Sequence, residues 1–155
     1  MTASVLGQGG DRGTAEATIK GKKVSITYGR PSLKGRDILS MAQPGAIWRL
    51  GKDQATEITT AGVLVIGDKK LDAGKYSLWA KKTSNDSWLL LFHPKTGIWG
   101  APELKEGFVA ETALKIEKAT NSEELLTITL AENKGKAGIK IHWGTAVMSG
   151  WFDVQ

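Results

Sequence analysis

The stretch from residue 56 to residue 82, TEITTAGVLVIGDKKLDAGKYSLWAKK, decides the fold class. β-Branched and aromatic residues occupy nine of its 27 positions, and the turn-forming groups GDKK and DAGK interrupt it twice. Glycine adopts the positive φ angles of tight turns at little cost, and aspartate caps its own backbone there. Runs of this composition between such turns predict three β-strands with antiparallel connections.

Alternation with a period of two extends this pattern towards both ends of the chain. In KKVSITYG (22–29), Val24, Ile26 and Tyr28 share one face and polar residues share the other, as in a strand with one buried face. SWLLLFHP (87–94) is apolar on both faces, which predicts a central strand that is covered on both sides.

The segment GFVAETALKIEK (107–118) has two interpretations. Its composition suits a helix, but its apolar residues alternate with polar ones, and the alternation favours a strand. Three more strands are predicted after it, at 124–131, 138–143 and 146–154, with turns at ENKGKAG and GTA.

The length of the chain, 155 residues, suits one domain. About nine or ten short strands at a spacing of about 10–12 residues predict an all-β fold, a single antiparallel β-sandwich or jelly-roll-like domain. This domain is expected over residues 14–155. Residues 1–13 are glycine-rich and polar, which predicts a flexible leader.

The chain is basic, with a formal net charge of +5 and a pI near 9.4. A basic surface attracts nucleic acid, anionic lipid or acidic glycans. The lysines form scattered pairs, however, and no block of five or more like charges occurs, so nucleic acid is not predicted as a partner. The pairs are Lys22-Lys23, Lys69-Lys70 and Lys81-Lys82.

Other classes of protein are excluded by what the sequence lacks. It has no cysteine, which excludes disulfides, cysteine-based zinc sites and a thiol nucleophile. No apolar run approaches the roughly 20 residues of a membrane-spanning helix, so no transmembrane segment is predicted. The N-terminus has no basic region before its short apolar part and does not resemble a signal peptide.

Residues 30–46 have no strand pattern and form a connection that is long for a compact domain. Guanidinium groups bind carboxylate or phosphate through paired hydrogen bonds, so converging arginines would form an anion site. The basic residues of this region are Arg30, Lys34, Arg36 and, directly after Trp48, Arg49.

The alternative is that these cations fasten the loop to the fold. Arg30 and Arg49 would then pair with Asp37 or Asp53, since a long loop needs internal polar partners. The sequence leaves both interpretations open.

The two histidines, His93 and His142, are candidates for an acid/base pair or a weak metal site. Neither belongs to an HxH or HExxH pattern, so the preferred interpretation is a capped strand-end histidine and a surface histidine. No metal or cofactor is predicted. No GxSxG motif is present, and no catalytic residue is nominated.

Six tryptophans are present, which is many for this length. Trp79 and Trp143 alternate with polar neighbours and are expected in the core. Trp99, in the turn KTGIWGAP, is expected to be the most exposed. Exposed indole rings stack on sugars and bases, so a tryptophan-lined groove for a carbohydrate or peptide is a further candidate.

Four segments, SITYGRPSLKGRDI, IWRLGKDQATEIT, LDAGKYSLWA and WLLLFHPKTGIWG, together resemble the DUF2911 family, bacterial proteins of unknown function. The resemblance runs from about Ala15 to Val154. It implies an all-β protein that is exported, hence periplasmic or secreted, and it supplies no activity or cofactor. Asp53 stands where many members have asparagine. The matching motif positions are Arg30, Pro31, Lys34, Gly35, Arg36, Trp48, Arg49, Gly51, Ala55 and Thr56.

Three hypotheses for function follow from the sequence. The first is a non-enzymatic binding module of the cell envelope with a basic, tryptophan-flanked site for an anionic or glycan ligand. The second is a hydrolase-like enzyme that uses His93 or His142, and the third is a purely structural domain. The oligomeric state is not predicted. The residues of the first hypothesis are Arg30, Lys34, Arg36, Trp48, Arg49, Asp53 and Trp99.

Overall fold

The computed structural model describes residues 4–8, 12–36, 38–98 and 104–155. These residues form eleven strands and one four-residue helix, which confirms the all-β prediction. The elements are β1 (Ser4–Gln8), β2 (Arg12–Ile19), β3 (Lys22–Gly29), α1 (Ile38–Met41), β4 (Ile47–Trp48), β5 (Glu57–Thr60), β6 (Leu64–Ile66), β7 (Lys69–Leu71), β8 (Gly74–Ser84), β9 (Ser87–His93), β10 (Ala110–Asn133) and β11 (Lys136–Val154).

The strands form one continuous antiparallel sheet, which is not closed. Its order is β1-β2-β3-β5-β8-β9-β10-β11-β6-β7, and β4 pairs with β8 beside this path. The prediction of antiparallel pairing is confirmed. A β-sandwich implies two separate stacked sheets, and this part of the prediction is corrected, because the ladder of hydrogen-bonded strands is unbroken.

The long hairpin of β10 and β11 is bent, and β10 contacts β2 and β3, which are not its neighbours in the sheet order, so the one sheet forms two layers. Its register shifts between Lys118 and Glu123 and again before Thr127, and such irregularities bend a strand. In β11 the indole of Trp151 lies on Gly138, where a Cβ would approach its Cζ3 to 2.7 Å. The strand therefore folds back on itself.

Strand boundaries at this hairpin differ from the sequence prediction. Of the predicted strand 107–118, residues 110–118 are in a strand and 107–109 precede it; the strand continues through 124–131 as the single strand β10. The predicted turn GTA is a bend within β11, where Gly144 has a φ of 62°. Only the two residues Lys134 and Gly135 form the turn before β11.

The other predicted strands are found, and β2 and β4 are strands that the sequence analysis does not predict. Residues 56–82 hold four strands, β5 to β8, rather than three, because β6 and β7 form a hairpin of their own. The prediction of a central strand at 87–94 is confirmed, since β9 lies between β8 and β10. Its Leu90 and Phe92 enter the main core, and Leu91 packs with Trp79 and Ile98 on the opposite face.

The N-terminal stretch 1–13 contains a strand where the sequence predicts a flexible leader. β1 pairs with β2 from Ser4 opposite Glu16 to Gln8 opposite Arg12. Gly13 fits beneath the ring of Tyr28, whose Cζ would lie 2.8 Å from an added Cβ.

The long connection after β3 begins along β10 instead of in solvent. Leu126 donates its backbone N–H to Pro31 O, and Leu33 donates its own to Glu124 O. Ser32 pairs with Leu125 as an isolated bridge, a pairing that the sequence pattern does not indicate. The connection contains no helix longer than α1 in its described part.

No helix among the described residues is long and apolar enough to cross a membrane.

Candidate functional site

Glu124 on β10 fastens the turn that follows Pro31. Its Oε2 accepts hydrogen bonds from the Ser32 hydroxyl and from the Lys34 backbone N–H at 2.9 Å. Its backbone oxygen accepts from the Leu33 N–H at 3.0 Å and the Trp143 indole N–H at 3.1 Å. The Ser32 hydrogen bond, followed by that of Lys34, lowers the pKa of Glu124. The carboxylate is thus a structural anchor.

Arg30 and Tyr28 fasten the end of β3 to the same strand. Arg30 donates from Nε to Leu126 O at 3.0 Å and from Nη2 to Thr127 Oγ1 at 3.1 Å. The buried Tyr28 hydroxyl accepts from Ile128 N at 2.9 Å and donates to Ile128 O at 3.4 Å. Burial raises the pKa of Tyr28. Arg30 therefore fastens the loop, but to a carbonyl and a hydroxyl rather than to an aspartate.

The remaining predicted cations are spread along the loop. Lys34 and Arg36 are exposed, and Arg36 donates from Nε to Leu33 O within its own turn at 3.4 Å. Arg49 is half-buried, and Asp53 is exposed with a φ of 64°. Trp99 and Asp37 lie outside the described residues.

Trp48 packs within an aromatic group. Its ring stacks on that of Trp143 at 5.4 Å between centroids and 7° between planes. It also meets the ring of Trp88 edge-on at 6.5 Å. Trp79 and Trp143 are buried, as the alternation predicts. The exposed tryptophan of the described residues is Trp151, which the sequence does not single out.

The glycines of the motif permit two chain segments to approach closely. A Cβ on Gly29 would collide with the backbone oxygen of Lys52, and one on Gly51 would lie 2.8 Å from Thr56 Oγ1. Thr56 in turn donates to Leu50 O at 2.7 Å. Packing thus accounts for Gly51 and Thr56 of the motif.

The motif residues quoted from the sequence therefore have defined places in the fold. A model of the family DUF2911, described as a protein of unknown function, matches residues 11–150. The chain belongs to the DUF2911 family. No curated protein and no solved structure matches it.

The largest of three cavities described in this DUF2911 protein has a volume of about 260 Å³. It lies where α1 and the end of β8 meet the bend of the long hairpin. None of the predicted site residues Arg30, Lys34, Arg36 and Arg49 lines any of the three cavities. The lining residues are Leu39, Lys82, Asn85, Trp88, Ile116, Thr145 and Ala146.

Lys82 is the cation of this cavity. Its side chain is only 4% exposed, and Nζ donates to Leu39 O at 3.2 Å and to Ala42 O at 3.0 Å. Nζ also lies 5.8 Å from the centroid of the Trp88 ring. None of the ion pairs between described residues involves Lys82. Carbonyl dipoles and an aromatic face therefore surround this charge.

The cavity wall contains hydrogen-bond donors that its internal hydrogen bonds do not use. An ammonium group has three N–H donors, and two of those of Lys82 are used by the carbonyls. Trp88 Nε1 is a buried donor without a hydrogen-bond partner. Asn85 and Thr145 are exposed and add an amide and a hydroxyl to the wall. The wall thus has donor capacity beyond its internal hydrogen bonds.

The histidines of this DUF2911 protein hold the backbone. His93 Nδ1 accepts from Lys95 N at 3.0 Å, so its Nε2–H donates to Glu106 O at 3.0 Å. This agrees with a strand-end cap. His142 Nε2 contacts Asn121 O at 3.1 Å. Among the described residues no group of three or more histidine, cysteine or acidic residues is placed to hold a metal ion.

Sequence reasoning assigned Lys82 to a solvated pair and so missed it. The signal was present, because Leu78, Ala80 and Lys82 alternate with Trp79 and Lys81 on one strand. Leu78 and Ala80 face the main core, and a period of two places Lys82 on the same face.

Proposed function

We propose that this DUF2911 protein is a non-enzymatic binding module for a small organic anion, which binds in the cavity beside Lys82. The observation that carries the proposal is the environment of that ammonium group. It is buried, and its partners are two carbonyls and an indole ring rather than a carboxylate. A charge in such surroundings gains from a counter-charge, which an anion in the cavity supplies.

The rest of the wall indicates which anions fit. Leu39, Ile116 and Ala146 offer apolar surface for the body of a ligand, and Asn85 and Thr145 offer hydrogen bonds at the rim. A volume of about 260 Å³ lies just below the usual range for drug-sized ligands. The proposed ligand is therefore a small carboxylic acid, such as an aromatic acid or a single sugar acid.

The packing of the tryptophans supports an anion over a neutral glycan. Sugar binding of this kind uses an open aromatic face, but Trp88 is 2% exposed and Trp48 stacks on Trp143. The basic, tryptophan-flanked site of the first sequence hypothesis is thus proposed around Lys82 and Trp88 instead of around Arg30, Arg36 and Arg49. We also propose a periplasmic or secreted location, which the resemblance to the DUF2911 family implies.

The test is an NMR titration of ¹⁵N-labelled protein with benzoate, glucuronate, inorganic phosphate and neutral glucose. We expect the two carboxylates to produce saturable shifts at the Trp88 indole N–H, Asn85 and Thr145. Lys82→Met keeps the length of the side chain but removes the charge, and should abolish these shifts. Lys81→Met is the matched control on the same strand, and should leave them unchanged.

Two outcomes would contradict the proposal. One is an unchanged affinity in Lys82→Met. The other is a set of shifts centred on the second cavity, of about 120 Å³, which Arg12, Glu57 and Gly97 line. If Lys82→Met does not fold, Ala146→Phe narrows the cavity from its half-buried rim and must also abolish binding.

A further inference from the structure

Two hairpin turns of this protein share the sequence Lys-Gly-Lys. One joins β2 to β3 at residues 20–22, and the other joins β10 to β11 at residues 134–136. In each turn both central residues have positive φ angles, 51° and 78° in the first and 53° and 80° in the second. These are the angles of two-residue type I′ turns.

Lysine is a poor residue for the first central position of such a turn. Type I′ turns favour Asn-Gly, Asp-Gly or Gly-Gly, because a residue with a Cβ is strained at positive φ and asparagine tolerates it best. Lys20 and Lys134 both occupy this position. Their conformation therefore costs free energy that asparagine would save, so the folding of the turns does not explain the choice of lysine.

The fold brings the two turns together, although they are far apart in sequence. A Cβ on Gly135 would lie 2.8 Å from Cε of Lys20, so the side chain of one turn crosses the other. Every lysine in and beside the turns is exposed. These lysines, here called the paired-turn lysines, are Lys20, Lys22, Lys23, Lys134 and Lys136.

Carboxylates neutralise only part of this charge. Lys23 lies 3.7 Å from the half-buried Glu16, and Lys136 lies 3.8 Å from Asp153. Glu132 accepts a hydrogen bond from the Gly135 N–H at 3.1 Å. None of the ion pairs between described residues involves Lys20, Lys22 or Lys134. The two turn tips therefore present uncompensated positive charge.

We propose that the paired-turn lysines form a docking surface for an anionic lipid bilayer. The strand ends put both tips at one end of the fold, where a flat charged surface reaches them together. The two turns carry no arginine for paired hydrogen bonds to bases, and the exposed indole of Trp151 packs on Gly138, two residues from Lys136. Flexible lysines suit the diffuse charge of lipid headgroups, where each contributes independently, and tryptophan is enriched at membrane interfaces.

The experiment is co-sedimentation of the full chain with phosphatidylcholine vesicles, with and without phosphatidylglycerol, at low and high salt. We expect binding only to the anionic vesicles, weakened by salt. Each lysine at an anionic surface strengthens binding about fivefold. The double variant Lys20→Asn/Lys134→Asn should therefore bind about 25-fold more weakly.

The same double variant also tests why lysine occupies these turns. Asparagine suits the position, so we expect the melting temperature to rise by about 2–4 °C per site. Weaker binding by a more stable protein cannot result from misfolding. The matched control Lys34→Asn removes an exposed lysine that has a φ of 52° before a glycine in a different turn, and should bind as the wild type does.

Three outcomes would overturn the inference. The first is wild-type binding by the turn variant, and the second is an equal loss in the control. The third is preferential binding to a duplex DNA competitor in the same assay, which would assign the surface to nucleic acid. Lys82→Met should bind vesicles as the wild type does, because Lys82 is buried in the anion cavity. Vesicle binding and anion binding are therefore tested independently of each other.

Discussion

Replacing Tyr28 with phenylalanine should test the contact that joins β3 to β10. The hydroxyl is buried and is the hydrogen-bond acceptor of Ile128 N at 2.9 Å, while its own bond to Ile128 O is long at 3.4 Å. The ring remains in phenylalanine, so apolar burial is nearly unchanged. The substitution removes one good hydrogen bond and leaves the buried Ile128 N–H without a partner, which costs about 1–3 kcal/mol.

We therefore expect Tyr28→Phe to lower the free energy of unfolding by about 2 kcal/mol and the melting temperature by about 4–8 °C. Urea unfolding followed by circular dichroism measures the first, and calorimetry the second. Tyr76→Phe is the control, because its hydroxyl donates to Asp72 O at an exposed site. Equal effects of the two substitutions, or a change below about 0.5 kcal/mol in Tyr28→Phe, would refute the reasoning.

Three further substitutions test other parts of the fold. Gly13→Ala should destabilise the protein by about 1–3 kcal/mol in urea unfolding, since its Cβ would lie 2.8 Å from the Tyr28 ring; a neutral result would contradict this packing. Arg30→Met should lower the free energy of unfolding by about 1.5–3 kcal/mol and leave the affinity for benzoate unchanged. A loss of affinity would show that Arg30 belongs to the ligand site. Glu124 has a lowered pKa, so its carboxylate stabilises the fold above the ordinary glutamate pKa, and that contribution is lost as the pH falls through the lowered value. The difference in melting temperature between wild type and Glu124→Gln should shrink in acid, and a constant difference would contradict it.

Local patterns in the sequence were sufficient to predict the strands. The alternation of Val24, Ile26 and Tyr28 indicates one buried face, and all three are fully buried. The double-sided apolar run at 87–94 correctly indicates a central strand. These predictions succeed because a period of two depends only on residues that are close in the chain.

What the sequence could not predict depends on contacts between distant residues. Glu124 looks like a solvated carboxylate in its own segment, and only the fold brings Ser32 to it. The two Lys-Gly-Lys turns are likewise separate in sequence, and the contact of Lys20 with Gly135 requires the folded-back hairpin. The same bend explains why the sequence pattern suggests two sheets where the structure has one. The segments on either side of the register shifts belong to the same two long strands, β10 and β11, whereas the sequence pattern separates them.

Arg30 and Arg36 are close in the sequence but have different partners in the fold. Proximity in sequence placed Arg30 and Arg36 in one loop, but Arg30 reaches β10 while Arg36 stays in its own turn. The cation of the cavity, Lys82, comes from a strand that the loop covers. Packing between the loop and β8 determines which cationic side chain is buried.

The most direct test of the account is a crystal structure of the protein grown with 4-bromobenzoate, in which anomalous scattering locates the bromine. The account predicts bromine in the cavity between Leu39 and Ala146, with a carboxylate oxygen at about 2.7–3.2 Å from Lys82 Nζ. Bromine in the cavity between Arg12 and Glu57, or only on the surface, would contradict it.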